Sequence, residues 1–285
     1  MIEGDTFQRF LLEELHIRGE WVRLSDSYQE ATKDLDYPEN LRSLLGQAIA
    51  AAVLMTGTLK FDGRLSIHAR GEGPVSLLMS EATNRRTFRG IVDWDGEIDP
   101  DASLVELLGN AQLAITIDPD KGNRYQGVVP LERENLAGCL AHYFELSEQL
   151  DTFLMLEANE SGCFGLMLQK LPDYKKIEDQ DAWNRIVQFA KTLKIDEFME
   201  TDNETLMLRL FHEESVLSFD QEPVKFECSC SRERTLSSIE TLGEDEALEI
   251  LENAATIAVD CQFCRKHYEF DRADIVELFR LGSSH

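Results

Sequence analysis

The feature that most constrains this chain is a set of four cysteines near its C-terminal end, arranged as two close pairs. Cys228 and Cys230 are separated by one residue and Cys261 and Cys264 by two, with 30 residues between the pairs. In turns of this kind both sulfurs of a pair can face one point, and four thiolates satisfy the tetrahedral geometry that zinc prefers. The spacing therefore predicts one zinc ion per chain, held by all four cysteines.

Other states of these cysteines stay open from the residues alone. Two structural disulfides would suit an oxidising compartment, and buried free thiols or an iron–sulfur cluster are further possibilities, although the spacing does not match the ferredoxin motifs. The surrounding region has few large apolar side chains, so a bound metal is a reasonable source of stability there. His267 could replace one ligand, but we interpret it as an ordinary polar residue.

The two remaining cysteines are interpreted differently. Cys139 lies on an apolar helical face, and Cys163 precedes an apolar strand. A free cysteine in such a position usually behaves as a small buried apolar residue. We therefore expect both to be buried structural thiols.

The charge of the chain excludes several classes of partner. It has 54 acidic and 28 basic residues, a net charge of −26 at pH 7. Because nucleic-acid binding begins with Lys and Arg neutralising phosphates, we expect no nucleic-acid partner, and anionic membranes would repel the chain. The longest apolar run, residues 48–55, is far below the roughly 20 residues that span a bilayer. Since no signal-peptide pattern follows the acidic N-terminus, we expect a soluble cytoplasmic protein.

Motifs of common enzyme classes do not occur in the sequence. There is no serine nucleophile elbow, and residues 71–74 read as a turn rather than a phosphate loop because Pro74 lacks a backbone N–H donor. Carboxylates are too numerous to single out a catalytic pair, and the six histidines show no ligand spacing. The sequence offers no catalytic residue.

The order of predicted elements indicates an α+β fold. Helices are predicted over residues 38–55 and 133–149, and strands that follow one another across short turns favour antiparallel pairing. Strand candidates are residues 21–24, 65–69, 114–117, 125–129, 152–157 and 164–169. We divide the chain into a strand-rich core domain with packed helices (1–178), a helical linker (179–225) and a small C-terminal zinc-binding domain (226–285).

The predicted linker contains two short amphipathic helices. It has five basic and 11 acidic residues, and two prolines, Pro172 and Pro223, flank the two helices. One hypothesis is that these are ordinary core helices; the other is a hinge of marginal stability that depends on its neighbours. The apolar positions at helical spacing are Trp183, Ile186, Val187, Ala190 and Leu193 in the first helix, and Leu206, Met207, Leu210 and Phe211 in the second.

Several motifs of this sequence resemble those of one protein family. The C-terminal region contains Cys228-Ser229-Cys230-Ser231-Arg232-Glu233-Arg234, Leu242-Gly243, Cys261-Gln262-Phe263-Cys264 and Tyr268-Glu269-Phe270-Asp271. The chain thus resembles the 33 kDa chaperonin family of bacterial redox-regulated heat-shock holdases, and the first string is highly specific. The similarity extends over essentially the whole chain, through Leu59-Lys60-Phe61-Asp62-Gly63, Gly71-Glu72-Gly73-Pro74, Arg89-Gly90, Tyr125-Gln126-Gly127, Tyr143-Phe144 and Ser147-Glu148-Gln149-Leu150. There are two departures from the family pattern: Gln47 follows Gly46 where the family commonly has Gly-Glu, and Cys163 stands after Ser161-Gly162 where a Gly pair is usual.

The resemblance implies a function. It implies an α+β substrate-binding core, a helical linker and a C-terminal zinc switch whose ligands are the four clustered cysteines. It further implies no enzymatic turnover, activation by oxidants together with unfolding conditions, and binding of unfolded or partly folded client proteins. The activated form would be a homodimer in the cytoplasm that hands its clients to ATP-dependent foldases.

The chemistry of the cysteines gives an expected mechanism. Of three possible disulfide connectivities we expect Cys228 with Cys230 and Cys261 with Cys264, because each cysteine has its nearest partner within its own pair. Zinc would then leave, and since zinc binding contributes about 10–16 kcal/mol in small zinc peptides, its loss should unfold the domain. If the linker packs partly on that domain, unfolding would release the linker's apolar faces for client binding.

Two alternative functions use the same residues. The first is a thiol–disulfide oxidoreductase with Cys261 and Cys264 as its redox pair, although the βαβ context of thioredoxin-like enzymes does not surround them. The second is a zinc-ribbon adaptor that binds a folded partner.

Overall fold

The computed structural model describes residues 4–33, 35–60, 62–172, 179 and 181–282. Two predicted boundaries, the end of the core at residue 178 and the end of the zinc domain at residue 285, lie outside the described residues. Contacts between residues divide the chain into two compact units, Met1–Glu227 and Cys228–His285. We call the second unit the cysteine module.

The first unit combines strands and helices along its whole length. In chain order it contains β1 (Thr6–Leu12), β2 (Ile17–Leu24), α1 (Asp26–Thr32), α2 (Glu39–Thr56), β3 (Gly63–Arg70), β4 (Val75–Thr83), β5 (Thr87–Trp94), α3 (Leu104–Leu108), β6 (Gln112–Pro119), β7 (Tyr125–Pro130), α4 (Leu136–Tyr143), β8 (Thr152–Ala158), β9 (Cys163–Lys170), α5 (Ala182–Ala190), α6 (Ile195–Glu200), α7 (Asn203–Phe211), β10 (Val216–Ser218), β11 (Glu222–Pro223) and β12 (Lys225–Phe226).

These strands form two six-stranded sheets. The first has the order β10-β1-β2-β9-β8, is antiparallel, and receives β11 beside β10 on the edge of β1. The second has the order β12-β5-β4-β3-β6-β7, and its only described parallel pair is β12 with β5. The strand-rich α+β class predicted from the sequence is confirmed.

Helix α2 packs against strands of both sheets. Thirteen of its 18 residues are buried, which explains why it is apolar on nearly every side. Gly46 permits a close approach to the first sheet, since a Cβ there would lie 2.6 Å from the Cβ of Ala158 and 3.1 Å from that of Cys163. The main apolar core of the unit surrounds this helix.

The other face of the first sheet is covered by α5, α6 and α7, which we call the linker helices. Along β2 the side chains alternate: Val22 lies in the core around α2, and Trp21 lies in a second apolar cluster shared with the linker helices. Ile186, Phe198 and Leu206 of the linker helices are fully buried in this second cluster. The predicted linker helices therefore have a sheet of the first unit as their packing partner.

The cysteine module is small and builds a separate core. It contains α8 (Arg232–Ile239), α9 (Glu244–Asn253), the antiparallel hairpin β13 (Ile257–Asp260) and β14 (His267–Phe270), and α10 (Arg272–Gly282). Among the described residues its buried apolar side chains are Ile239, Ala247, Ile257, Tyr268, Phe270 and Ile275.

Local hydrogen bonds account for two differences from the predicted elements. The helix predicted from residue 133 begins at Leu136, because the Asn135 side chain accepts a 2.8 Å hydrogen bond from the Gly138 N–H. It changes to a π-helical turn over Phe144–Glu148. At the start of α1, the Asp5 carboxylate, not a serine hydroxyl, accepts hydrogen bonds from the N–H groups of Ser25 and Ser27.

Within the described part of the chain, no helix combines the length and the apolar character needed to cross a bilayer.

Candidate metal centre

Two turns of the cysteine module hold the four cysteines. Cys228 and Cys230 lie just before α8, whose first turn is capped by the Ser231 side chain. Cys261 and Cys264 lie in the turn between β13 and β14. That turn closes through a 3.0 Å bond from the Cys261 N–H to the Lys266 carbonyl and a 2.8 Å bond from the Arg265 N–H to the Cys261 carbonyl. The fold thus brings together two turns that are 30 residues apart in the sequence.

The four sulfurs converge on one point. They all lie within 4.8 Å of one another, and the other described His, Cys, Asp and Glu residues form no second cluster of this kind. Two Sγ–Sγ contacts join one pair to the other: Cys228 to Cys261 at 3.6 Å and Cys230 to Cys264 at 3.4 Å. Four sulfurs at 2.3 Å from a tetrahedral zinc would be separated by about 3.8 Å. The cluster can therefore hold a metal ion.

One tyrosine contacts this cluster directly. The Tyr268 hydroxyl donates a 3.2 Å hydrogen bond to the Cys230 sulfur. Although burial opposes it, this hydrogen bond together with those from the other thiols lowers the pKa of Cys230 to about 7. Burial raises the pKa of Cys228 and of Cys264. Negative charge on the cluster is therefore favoured at Cys230, where a hydrogen-bond donor is already in place.

Two arginines of the Ser-Arg-Glu-Arg string fix the first turn. The Arg234 guanidinium donates a 2.8 Å hydrogen bond to the Ser229 carbonyl, between the two cysteines of the pair. The Arg232 guanidinium donates to the Glu269 carbonyl at 2.7 Å and to the Asp274 carboxylate at 2.6 Å, and it lies over the Phe270 ring. These contacts tie α8 to β14 and α10, and the sequence pattern alone did not reveal them.

His267 and the two remaining cysteines lie apart from the cluster. The His267 side chain is about half exposed and its Nδ1 lies 2.7 Å from the Asp260 carboxylate, which raises the pKa of this histidine. Cys139 and Cys163 are fully buried in the first unit, so the prediction that they are buried is confirmed. Burial raises the pKa of both thiols, which keeps them protonated and of low reactivity.

A second candidate site is the sheet face beneath the linker helices. We call it the covered face and define it by Phe10, Trp21 and Phe164, together with Leu166 and Leu168. Its aromatic rings contact two of the three linker helices: Phe164 stacks on Phe198 of α6 with centroids 3.9 Å apart, and the Phe10 ring lies 5.7 Å from that of Phe211 in α7. Trp21 meets Phe198 edge-on at 5.7 Å.

Buried polar groups stand among these rings. The Gln8 side-chain oxygen accepts hydrogen bonds from Trp21 Nε1 at 3.1 Å and from Asn203 Nδ2 at 2.7 Å. The Arg23 guanidinium donates to the Thr201 carbonyl at 2.5 Å and to Asn203 Oδ1 at 3.3 Å. We call Gln8, Arg23 and Asn203 the polar cluster. Sequence reasoning missed it, because single polar residues in amphipathic elements give no signal of burial.

Comparisons with known proteins agree with this architecture. A family model described as Hsp33 protein matches residues 5–271, which include the four clustered cysteines. A 33 kDa chaperonin from Ectopseudomonas mendocina is 47% identical over 281 residues, covering 97% of this chain and 95% of the relative. A 33 kDa chaperonin from Hahella chejuensis is 48% identical over 288 residues and covers 100% of both chains. The crystal structure of the 33 kDa chaperonin from Thermotoga maritima, at 22% identity, is similar in fold, with a TM-score of 0.83 over 99% of this chain and 100% of that chain.

Proposed function

The chain belongs to the Hsp33 protein family, and on this premise we propose that it is a redox-regulated holdase, which binds unfolding proteins and prevents their aggregation under oxidative stress. One observation carries the proposal: four cysteine sulfurs lie within 4.8 Å of one another in a module whose own apolar core is very small. The relatives are named as chaperonins, a non-enzymatic function, so the proposal includes no catalytic turnover.

Zinc is the metal we assign to the cluster, one ion per chain, with Cys228, Cys230, Cys261 and Cys264 as its ligands. When bound, zinc would hold the four thiolates together and replace the stability that a larger apolar core supplies in other domains. The Tyr268 hydroxyl would remain a hydrogen-bond donor to the Cys230 sulfur, as outer partners of metal ligands commonly do.

Oxidation of the thiols is the proposed signal. As a disulfide forms, two cysteine thiols lose two electrons and two protons, and hydrogen peroxide takes them up to give two waters. We assign the disulfides to Cys228 with Cys230 and to Cys261 with Cys264. Each removes two thiolates from the ligand set, and loops of three or four residues constrain the unfolded chain too little to compensate. The module would then unfold.

Unfolding would reach the linker helices along the chain. Strands β10, β11 and β12 lie between the linker helices and the module, and they have only three, two and two residues. Strands this short have little stability of their own. We propose that they separate from their sheets once the module is unfolded, and that the linker helices then leave the covered face.

The covered face and the released linker helices would bind clients. An unfolded protein offers apolar segments, and the removal of such surface from water gives affinity without sequence selectivity, at roughly 25 cal/mol per Å². We also propose, as the family resemblance implies, that the activated form is a cytoplasmic homodimer and passes its clients to ATP-dependent foldases. The division into a core domain (1–178), a linker (179–225) and a zinc-binding domain (226–285) is also part of this proposal.

The decisive experiment measures three quantities before and after peroxide treatment: zinc per chain, free thiols per chain, and suppression of the aggregation of a thermally unfolding client. The proposal expects one zinc and six thiols with weak suppression in the reduced protein. After oxidation it expects no zinc, two thiols and strong suppression. Cys261→Ser should lower the zinc content sharply, whereas Cys139→Ala, which changes a cysteine outside the cluster, should not.

Other outcomes point to the alternative functions. Turnover of disulfide substrates that Cys264→Ser abolishes would indicate an oxidoreductase, although the position of Cys261 and Cys264 in a β-hairpin turn does not favour this. Constant zinc content with equal client binding in both states would contradict redox control and would favour a zinc-ribbon adaptor.

A further inference from the structure

The interface between the linker helices and the covered face contains a positively charged group that is poorly compensated. The Arg23 side chain projects from β2 into this interface and is only 5% exposed. Among the described residues, no carboxylate oxygen lies within 4.0 Å of its guanidinium, and its Nε is buried without a hydrogen-bond partner. A guanidinium has five N–H groups and needs an acceptor for each.

Within the described part of the chain, both side-chain hydrogen bonds of Arg23 go to the linker. One guanidinium nitrogen, Nη2, donates two hydrogen bonds. One goes to the carbonyl of Thr201, the residue directly after α6, and the other to Oδ1 of Asn203, the first residue of α7. The guanidinium carbon lies 4.7 Å from the centre of the Phe198 ring. Carbonyl and amide oxygens and an aromatic ring stabilise a cation less than a carboxylate does.

The balance of these effects disfavours the cation. Burial lowers the pKa of Arg23 to about 10, and the nearby carboxylate of Asp202 only partly opposes this effect. When the linker helices are absent, water can satisfy all five N–H groups. Docking of the linker therefore removes water from the Arg23 guanidinium and replaces it with fewer hydrogen bonds than the group can make.

We infer that Arg23 is a positioning residue that keeps the docked linker marginally stable, because docking buries its cation with no carboxylate oxygen of the described residues within 4.0 Å. This inference rests on the proposed function for its biological meaning, but its physical content concerns only the docking equilibrium. The polar cluster then has two opposing parts: Asn203 and Gln8 hold the linker in register, and Arg23 promotes its release. The ease with which the linker is released would then depend on a residue of β2, which lies more than 200 residues before the four clustered cysteines.

Hydrogen exchange of the reduced full-length protein tests the inference. Arg23→Met keeps most of the side-chain volume but removes the charge, and Arg23→Leu is a second neutral variant in case the first does not fold. Exchange over residues 195–211 should become slower by about fivefold or more, since replacing a poorly paired buried charge by an apolar side chain of similar volume is often stabilising. Exchange in α2, which lies on the other side of the sheet, should not change; a general effect on core stability would alter both regions.

Two controls separate charge from other effects. Arg23→Lys retains a cation at the same position and should not slow exchange. Arg18→Met makes the same substitution on the same strand, but the Arg18 guanidinium donates to Gln169 away from the linker, so exchange over residues 195–211 should be unaffected. Unchanged or faster exchange of the linker in either folded neutral variant would overturn the inference, because Arg23 would then be neutral or stabilising in the docked state.

A second measurement connects this inference to the proposed function. After peroxide treatment, the neutral variants should lose zinc and thiols at the wild-type rate but gain aggregation suppression several-fold more slowly. If the wild-type protein shows no activation by peroxide, the proposed function fails. The exchange experiment still decides the role of Arg23 in that case, because it requires neither oxidation nor a client.

Discussion

The side-chain amide of Asn203, at the start of the last linker helix, donates a 2.7 Å hydrogen bond to the side-chain oxygen of Gln8 on the first strand. The two residues are 195 positions apart, and both are at least 90% buried. This contact contributes to the position of α7 along the sheet, because both groups are buried and each depends on the other for a hydrogen-bond partner. The docking of the linker thus depends on a specific buried polar pair as well as on apolar area.

Removal of this pair should weaken docking. Asn203→Leu would leave Gln8 without one donor and would take an acceptor from Arg23, at a cost of about 1–3 kcal/mol. We expect faster hydrogen exchange over residues 195–211 and chaperone activity after milder oxidation. Asn184→Leu, at an exposed position of α5, is the matched control and should behave as the wild type. Equal exchange in the two variants would show that the polar pair does not hold the linker.

The hydrogen bond from Tyr268 to Cys230 predicts an effect on metal affinity. Tyr268→Phe keeps the ring in the module's core but removes the hydroxyl that donates at 3.2 Å to the sulfur. Loss of an outer partner of a metal ligand typically lowers metal affinity by about 10–100-fold. Competition with a coloured zinc chelator measures this affinity. Tyr125→Phe, in the first unit and about half exposed, should leave it unchanged; an unchanged affinity in Tyr268→Phe would exclude the hydroxyl from a role at the site.

Substitutions on α7 test whether release of the linker is the activating event. Leu210 is 7% exposed within the cluster that α7 shares with the sheet, whereas Leu208 on the same helix is 63% exposed. Leu210→Asp would bury an unpaired carboxylate and should weaken docking by about 3 kcal/mol or more. We expect it to suppress client aggregation with fewer oxidised cysteines, and Leu208→Asp to require full oxidation.

The linker must be shown to be released for that comparison to be informative. Limited proteolysis between residues 181 and 211 provides this check in the reduced protein. If Leu210→Asp is cleaved there and still fails to suppress aggregation, exposure of this segment does not activate the chaperone.

A buried carboxyl group predicts how the stability of the first unit depends on pH. Glu20 is 2% exposed, its Oε2 has no hydrogen-bond partner among the described residues, and burial raises its pKa from 4.5 to about 7. The charges that act on it are those of Arg18, Arg86 and Arg9, which oppose the shift, and of Glu222, which adds to it. Folding therefore favours the protonated carboxyl, and this stabilisation is complete below pH 4.5 and lost as the pH rises to about 7.

Glu20→Gln should abolish this pH dependence. Its free energy of unfolding relative to the wild type should rise between pH 4.5 and 7 and stay constant above pH 7, as measured by urea denaturation of the reduced protein. The control Glu13→Gln also removes one negative charge, but from an exposed position in the turn after β1. A difference between Glu20→Gln and wild type that does not change with pH would show that folding does not raise the pKa of Glu20.

Hydrophobic periodicity and turn residues were sufficient to predict several helices and strands, because these signals come from residues that are neighbours in the sequence. The helix predicted over residues 38–55 is α2, and the predicted strands correspond to β2, β3, β6, β7, β8 and β9. The two predicted linker helices are α5 and α7, although α6, with only six residues, was missed because it is too short for a clear period. Strand β1 was also missed, although its residues Gln8 and Phe10 contact α7.

The sequence by itself determined the candidate metal centre, because each half of it is a short motif in which two sulfurs are already close. Only the tertiary structure decided what surrounds it and what holds the linker. Tyr268 contacts Cys230 from 38 residues away, Asn203 meets Gln8 across 195, and Arg23 reaches Asn203 across 180. The reason is physical: periodicity reports which face of an element avoids water, but the partner of a buried polar group depends on how distant segments pack, and no local pattern contains that information.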